Sequence, residues 1–244
     1  NAHAVNPTTA EAPYANGFLA GLKGIDQNGN AINPIQYEYE LCFRCHSDNP
    51  VTSSITSRQI EQSNIRLEFS VEAVSFHPIE INGRNNSVPG LVQPLTESSI
   101  IYCTDCHASN GADAPKGPHG SIYPQILKYQ YVNIDNTPES AFAYELCYSC
   151  HTRDQYNTDM GDNVQRQIHY QHVVVEQTPC NACHDPHGIS STQGSILNNS
   201  HLINFDISIA KPRMNGEFYF QDNGFRSGQC SLSCHGSDHN AKRY

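Results

Sequence analysis

The sequence predicts a mostly irregular coil with short α-helices and few short strands, organised around something other than an apolar core. Three observations predict it. The 244-residue chain is 37% hydrophobic, and adding its 16 Gly still leaves it below the usual share for a self-sufficient core. It carries 10 Cys and 13 His but no Trp. The cysteines fall into five pairs, each followed directly by a histidine.

Charge and hydropathy exclude two broad classes. The balance of 24 Asp+Glu against 14 Lys+Arg, a net charge of −10, lacks the basic face a nucleic-acid binder needs. No run approaches the roughly 18 consecutive apolar residues of a membrane helix.

Four of the pairs read Cys42-Phe-Arg-Cys45-His46, Cys103-Thr-Asp-Cys106-His107, Cys147-Tyr-Ser-Cys150-His151 and Cys180-Asn-Ala-Cys183-His184. The fifth, Cys230-Ser-Leu-Ser-Cys234-His235, has one extra residue between its cysteines. C-x-x-C-H is the attachment signature of c-type haem. Two thiols about one turn apart add across the two vinyl groups of one porphyrin. The adjacent imidazole then becomes the proximal ligand of the iron. A disulfide scaffold needs no His after every second Cys, and paired zinc knuckles do not need it five times. A thioredoxin-like redox motif comes singly on a βαβ unit, which the chain does not show. The pattern therefore predicts five c-type haems, with His46, His107, His151, His184 and His235 as proximal ligands.

Removing these leaves eight histidines. Met160 and Met214 are the only methionines, too few to serve five irons, so a second imidazole is the economical sixth ligand. Two axial imidazoles leave no position for substrate, which points to electron transfer rather than catalysis. The distal candidates are His77, His119, His169, His172, His187 and His239. That is one more than five irons need, so one is spare or serves another molecule. Between His169 and His172 the spacing to Cys180 favours His172. His201 reads as a polar side chain flanking a short strand, and His3 belongs to a mobile polar terminus that is able to reach a neighbouring subunit.

The chain also repeats itself. Tyr39-Glu-Leu-Cys-Phe-Arg-Cys-His46 returns as Tyr144-Glu-Leu-Cys-Tyr-Ser-Cys-His151. Each is followed by a lone-His stretch, a second C-x-x-C-H and a Pro-His-Gly, centred on His119 and His187. This divides the chain into an N-terminal arm (1–34), a first dihaem module (35–135), a second (136–188) and a C-terminal extension carrying the fifth haem (189–244). The Pro and Gly around His119 and His187 make turns that aim an imidazole at a neighbouring iron. His187 is too close to His184 to reach over its own haem.

Local patterns predict a helical turn at each attachment motif, with the best helices over Glu38–His46 and Glu139–His151. Thr137-Pro-Glu-Ser is the N-terminal signal of the second. Ile203–Ile209 and Glu217–Phe220 read as short strands that pair across Pro212–Gly216. The rest, rich in Asn, Ser, Gly and Pro, reads as turn and coil. Five porphyrins replace the missing core, and the 13 Tyr pack against their faces and edges. A chain that starts at Asn1 with haem-attachment motifs reads as the mature form of an exported protein.

The repeated modules with Gly-Pro-His119-Gly-Ser and Cys-His184-Asp-Pro-His187-Gly resemble multihaem c-type cytochromes of metal-reducing bacteria. So does the tail, Ser-His201-Leu-Ile-Asn-Phe-Asp followed by Cys-Ser-Leu-Ser-Cys-His-Gly-Ser-Asp-His239. Within that group, over residues 35–244, the chain is similar to the extracellular cytochromes that polymerise into conductive filaments (nanowires). The resemblance implies an electron-transfer protein that is no enzyme and is a homo-oligomer. Its partners are redox proteins and extracellular electron acceptors, and an axial His can come from the next subunit. The alternatives are a periplasmic shuttle, or a multihaem reductase with one open haem, for which the variant motif at Cys230–His235 is the place to look.

Overall fold

The computed structural model describes residues 9–48, 56–158 and 164–243, and regular structure comes in short pieces among them. His3 and Met160 lie outside the described residues. In chain order the strands are β1 (Gly24–Ile25), β2 (Ala31–Ile32), β3 (Ser75–Phe76), β4 (Gly188–Ile189), β5 (Tyr219–Asp222), β6 (Gly228–Cys234) and β7 (Ser237–Arg243). The helices are α1 (Glu38–His46), α2 (Ile65–Glu68), α3 (Cys103–Cys106), α4 (Glu145–Tyr148), α5 (Asp154–Asn157) and α6 (Val164–His169). A π-helical turn, Tyr170–Val175, continues α6. The architecture is the coil with short helices and short antiparallel strands that the sequence predicts.

Helix α1 forms where the sequence places it, for two local reasons. Glu40 reaches back to accept the backbone N–H groups of Gln36 and Tyr37 at 2.6 and 2.8 Å, satisfying donors that a helix start leaves open. Its acids, Glu38 and Glu40, fall in the first turn and Arg44 and His46 in the last, in line with the helix dipole. The second attachment motif repeats the device, Asp105 accepting the Tyr102 N–H at 2.8 Å at the start of α3.

No single core exists among the described residues. Three small clusters divide the apolar burial, and cysteines edge each of them. Tyr39, Phe43, Phe69, Ala73, Phe76 and Ile79 pack with Cys103. Ala143, Tyr144 and Val173 pack with Cys147 and Cys180. Ile203, Phe205, Ala210, Phe220 and Leu232 pack with Cys183, Cys230 and Cys234.

Two long-range pairings organise the rest. β3 pairs antiparallel with β4, Ser75 opposite Ile189 and Phe76 opposite Gly188. Gly188 has φ +144°, and a Cβ there would come within 2.6 Å of the Glu68 and Ser75 carbonyl oxygens, so the approach of these segments requires glycine. β5, β6 and β7 make one antiparallel meander.

Three local expectations are corrected. The helix predicted over Glu139–His151 is reduced to α4, because competing side-chain bonds hold its first half. Thr137 Oγ1 donates to the Ile134 carbonyl and Ser140 Oγ accepts from the Ala143 N–H. The Ile203–Ile209 segment makes only isolated bridges, Ile203 with His184 and Asp206 with Arg58. It then turns where Asp206 accepts the Ser208 N–H and hydroxyl. The Glu217–Phe220 strand starts at Tyr219 instead and pairs with β6 rather than with that segment. Lastly, the fifth attachment motif is not a helical turn: Cys230 and Cys234 lie on β6.

Candidate functional site

The site is a series of attachment points running in sequence order. Cys42 of the first motif hydrogen-bonds Cys103 of the second, and this contact with burial raises the Cys103 pKa. Burial pushes Cys106 up to about 12, with Cys150 and Cys147 of the third motif adding to the shift. Cys147 in turn hydrogen-bonds Cys180 of the fourth, which with burial holds its proton on. Burial also raises Cys183 to about 12, helped by Cys230 and Cys234 of the fifth. Each motif is therefore the spatial neighbour of the next. Among the described residues no disulfide joins the ten cysteines, and no group of three or more His, Cys, Asp or Glu is arranged to hold a metal ion.

The histidines fall into facing pairs. Two imidazoles that ligate one metal ion from opposite sides have metal–nitrogen bonds of about 2.0 Å, which puts their ring centres about 6.2 Å apart. Four histidine pairs among the described residues meet this spacing: His77 with His151 at 6.4 Å, His107 with His187 at 6.0 Å, His169 with His184 at 6.2 Å, and His172 with His239 at 6.1 Å. The first three each join a histidine of a C-x-x-C-H motif to one of the lone histidines. His46 and His119 are exposed and stand in none of the four.

Most of these rings are held by Nδ1. His77 meets the Pro186 carbonyl at 2.6 Å, His107 that of Gln125 at 2.8 Å, His172 that of Ile168 at 2.9 Å and His184 that of His201 at 2.9 Å. His151 Nδ1 lies 3.2 Å from the Tyr156 hydroxyl, and His187 Nδ1 lies 3.3 Å from Glu68 Oε2. A donor bond from Nδ1 fixes the tautomer that leaves the Nε2 lone pair for a metal, the usual outer-shell arrangement of a ligating histidine. Burial keeps the rings neutral as ligation requires, pushing His151 down to about 4 and His184 to about 3, with His77 and His169 adding to the respective shifts. His187 is the exception. Burial lowers its pKa, but the contact with Glu68 outweighs it and the net shift is upward.

The local structure explains the pairing. His77 and His187 flank the β3–β4 ladder, and the His77 N–H points to the His187 carbonyl at 3.4 Å. The one ladder thus presents His77 to His151 and His187 to His107. His169 and His172, alternatives by spacing, are both paired: one ends α6, the other belongs to the π turn, and they face two different neighbours. A π turn widens the helix locally and is a frequent feature of functional sites. His201 is turned to polar partners, Asn85 Nδ2 at 2.9 Å and Asp222 Oδ2 at 3.3 Å.

His235 departs from the other motif histidines. Its Nε2 lies 2.9 Å from both carboxylate oxygens of Asp135. Beside the third and fourth motifs the Tyr144 and Thr178 hydroxyls are buried with no hydrogen-bond partner among the described residues, which suits the acceptor oxygens of a porphyrin. The sequence reading missed Glu68, Arg58 and Asp135, the polar residues that hold these histidines and their backbones. Their partners are distant in the chain, and no local pattern marks them.

No curated protein and no solved structure matches the chain. One family model does, described as outer membrane cytochrome MtrC/MtrF-like, domains II/IV, and it covers residues 27–195. That span holds the first four attachment motifs and three of the four histidine pairs. The fifth motif and His239 lie beyond it. With more than half its length matched, the chain belongs to this MtrC/MtrF-like outer membrane cytochrome family, whose work is electron transfer.

Proposed function

We propose that the chain is an extracellular electron conduit that holds five c-type haems, each iron between two histidines, and that it polymerises into filaments. When bound, each haem supplies a one-electron ferric–ferrous couple. The chain's own residues do the rest. The cysteine pairs fix each group covalently, and contacts such as Cys42 with Cys103 and Cys147 with Cys180 bring successive attachment points together. The facing imidazoles would hold each iron from two sides, which would suit it to carrying electrons rather than binding substrate. The observation that carries the reading is the set of histidine pairs at 6.0–6.4 Å. The family supports export to the cell surface, and among the described residues no helix is long and apolar enough to cross a membrane.

The test is EPR spectroscopy of the oxidised holoprotein together with a haem count by pyridine haemochromogen. Five haems with low-spin ferric signals are expected. A substantial high-spin signal that persists in every assembly state refutes the conduit reading. For assembly the decisive observation is negative-stain electron microscopy of the secreted fraction, and discrete monomers at high concentration refute polymerisation.

One observation favours a second reading. His46 stands in none of the four ring pairs. In the filament reading its sixth ligand comes from outside those residues, including a neighbouring subunit. In the alternative it marks an open site of a reductase or of a monomeric periplasmic shuttle. A high-spin signal present in monomers and lost on assembly supports the filament; one that binds nitrite or hydroxylamine supports the reductase.

A further inference from the structure

We propose that two turns of one build, at 124–127 and 200–203, are positioning devices: the carbonyls of Gln125 and His201 hold the Nδ1–H of His107 and His184, and so set how strongly each imidazole donates to its iron. The inference rests on the haem reading of the second and fourth motifs and deepens it.

The two turns match bond for bond. Gln125 and Ile126 both have φ +56°, and His201 and Leu202 have φ +57° and +62°. The ψ angles of Gln125 and His201, 23° and 28°, agree as well. In the first turn the Leu127 N–H donates to the Pro124 carbonyl at 3.2 Å, and the Lys128 N–H to that of Cys106 at 2.8 Å. In the second the Ile203 N–H donates to the Ser200 carbonyl at 3.1 Å, and the Asn204 N–H to that of Cys183 at 2.8 Å. Leu127 bridges to His107 and Ile203 to His184. The ring contacts are 2.8 Å from His107 Nδ1 to the Gln125 carbonyl and 2.9 Å from His184 Nδ1 to the His201 carbonyl, across 18 and 17 residues of chain. A carbonyl only accepts, so Nδ1 carries the proton in both rings and Nε2 is left for a metal.

The conformation is costly, and nothing in the local sequence asks for it. A left-handed residue brings its Cβ against the following carbonyl oxygen, a clash that glycine escapes. None of the four residues is Gly or Asn, and Ile126 is β-branched, the least tolerant kind. Such residues persist only where the surroundings over-determine them. At the second turn the His201 ring lies between Asn85 Nδ2 at 2.9 Å and Asp222 Oδ2 at 3.3 Å, and the Leu202 N–H donates to Ser75 Oγ at 3.1 Å. His201, which stands in none of the four ring pairs, thus acts through its main chain.

The third motif separates this device from the attachment loop. There the Val92 N–H donates to the Cys150 carbonyl at 2.9 Å and Leu91 bridges to His151, the same backing as at the other two. The positive φ, +86°, belongs to Gly90, whose carbonyl takes the Thr152 N–H. The His151 ring meets the Tyr156 hydroxyl instead. Backing a motif therefore needs no pair of left-handed L-residues, which leaves the ring contact as what the pair achieves.

The test compares two substitutions at one position of the full holoprotein. Gln125→Gly keeps the left-handed φ at no steric cost, so the carbonyl stays on His107. Gln125→Pro forbids it, because proline fixes a negative φ. An outer-shell partner of a metal-bound histidine is worth roughly 10–100-fold in metal affinity. A loss of about tenfold borne by the ferric state converts to an upward shift of about 59 mV in a one-electron potential. Gln125→Pro is expected to raise one midpoint potential by about that much and to move the g values of one low-spin haem, with the haem count unchanged. Gln125→Gly is expected to match the wild type in both. Gln125→Gly and Ile126→Gly, at exposed positions, are also expected to unfold no earlier than the wild type, whereas glycine in place of a right-handed residue destabilises. Wild-type potentials in Gln125→Pro, a shifted potential in Gln125→Gly, or earlier unfolding of both glycine variants overturns the proposal. Should Gln125→Pro fail to mature, the two glycine variants decide. A high-spin wild type refutes the conduit reading alone, because this comparison needs only the His107 side of the iron.

Discussion

Arg58 should be the most costly single polar residue to lose, although it belongs to no motif. Its guanidinium donates to the carbonyls of Asn181 at 2.6 Å, Asn204 at 2.8 Å and His184 at 3.0 Å, and its Nε lies 3.4 Å from Asp185 Oδ2. Both side chains of the ion pair are only 10% exposed. It therefore clamps the backbone of the fourth attachment motif to the 203–206 segment. Breaking a buried pair from one side costs about 3–5 kcal/mol, because the remaining charge is stranded. Asp185 would not be wholly stranded, since it still accepts from Asn204 Nδ2 at 3.1 Å and from the His187 N–H at 3.3 Å. The lower end, about 3 kcal/mol, is the expected loss for Arg58→Met, which keeps the volume of the stem. Arg58→Lys retains the charge but not the fork that spans three carbonyls, and should fall between the two. The assay is guanidinium unfolding of the holoprotein followed by far-UV CD, reading the midpoint at constant slope. A loss below about 1 kcal/mol for Arg58→Met would refute the clamp.

Three further outcomes follow from the same contacts. Haem-free chain should not fold, because its three small apolar clusters are edged by cysteines; a far-UV CD spectrum equal to that of the holoprotein would show otherwise. Glu38 is raised above its ordinary pKa by burial, even though the Thr104 hydroxyl and N–H donate to it and lower it. The stability this group contributes is full below its unfolded value near 4.5 and is lost as pH rises through the higher folded value. Glu38→Gln, whose amide oxygen accepts the same two bonds, should match the wild type at pH 4 and be at least as stable at pH 7. A less stable variant at pH 7 contradicts this reasoning. Glu68→Gln removes the carboxylate beside His187 Nδ1, which makes the imidazole a poorer electron donor and should raise one midpoint potential of the set. A potentiometric titration with unchanged potentials would count against that ligand.

The local half of the protein was legible in the chain itself. The five cysteine pairs and the histidines beside them stand out in the chain because covalent addition to one porphyrin would demand thiols a fixed few residues apart. Helix α1 was legible for a similar reason: its acid cap, its apolar Tyr39 and Phe43 and its basic end all lie within one short segment. The Glu139–His151 helix is shortened to α4 because Thr137 bonds the Ile134 carbonyl and Ser140 holds a separate turn through the Ala143 N–H. The β6–β7 hairpin left a signal that went unread, since Gln229-Cys-Ser-Leu-Ser-Cys234 alternates with period two and His-Gly follows it.

By itself, then, the sequence shows five cysteine pairs, each followed by a histidine, and predicts coil with short helices and strands in place of an ordinary core. Only the tertiary structure decided which imidazole faces which. His77 meets His151 and His187 meets His107 because a two-residue ladder joins β3 to β4. His169 and His172 both find partners because the helix carrying them widens into a π turn. His235 turns to Asp135 because it occupies a hairpin tip. The physical reason is one of range. A cysteine pair is placed by a few neighbouring bonds, whereas an axial partner is placed by the packing of segments about a hundred residues apart, which no local spacing encodes.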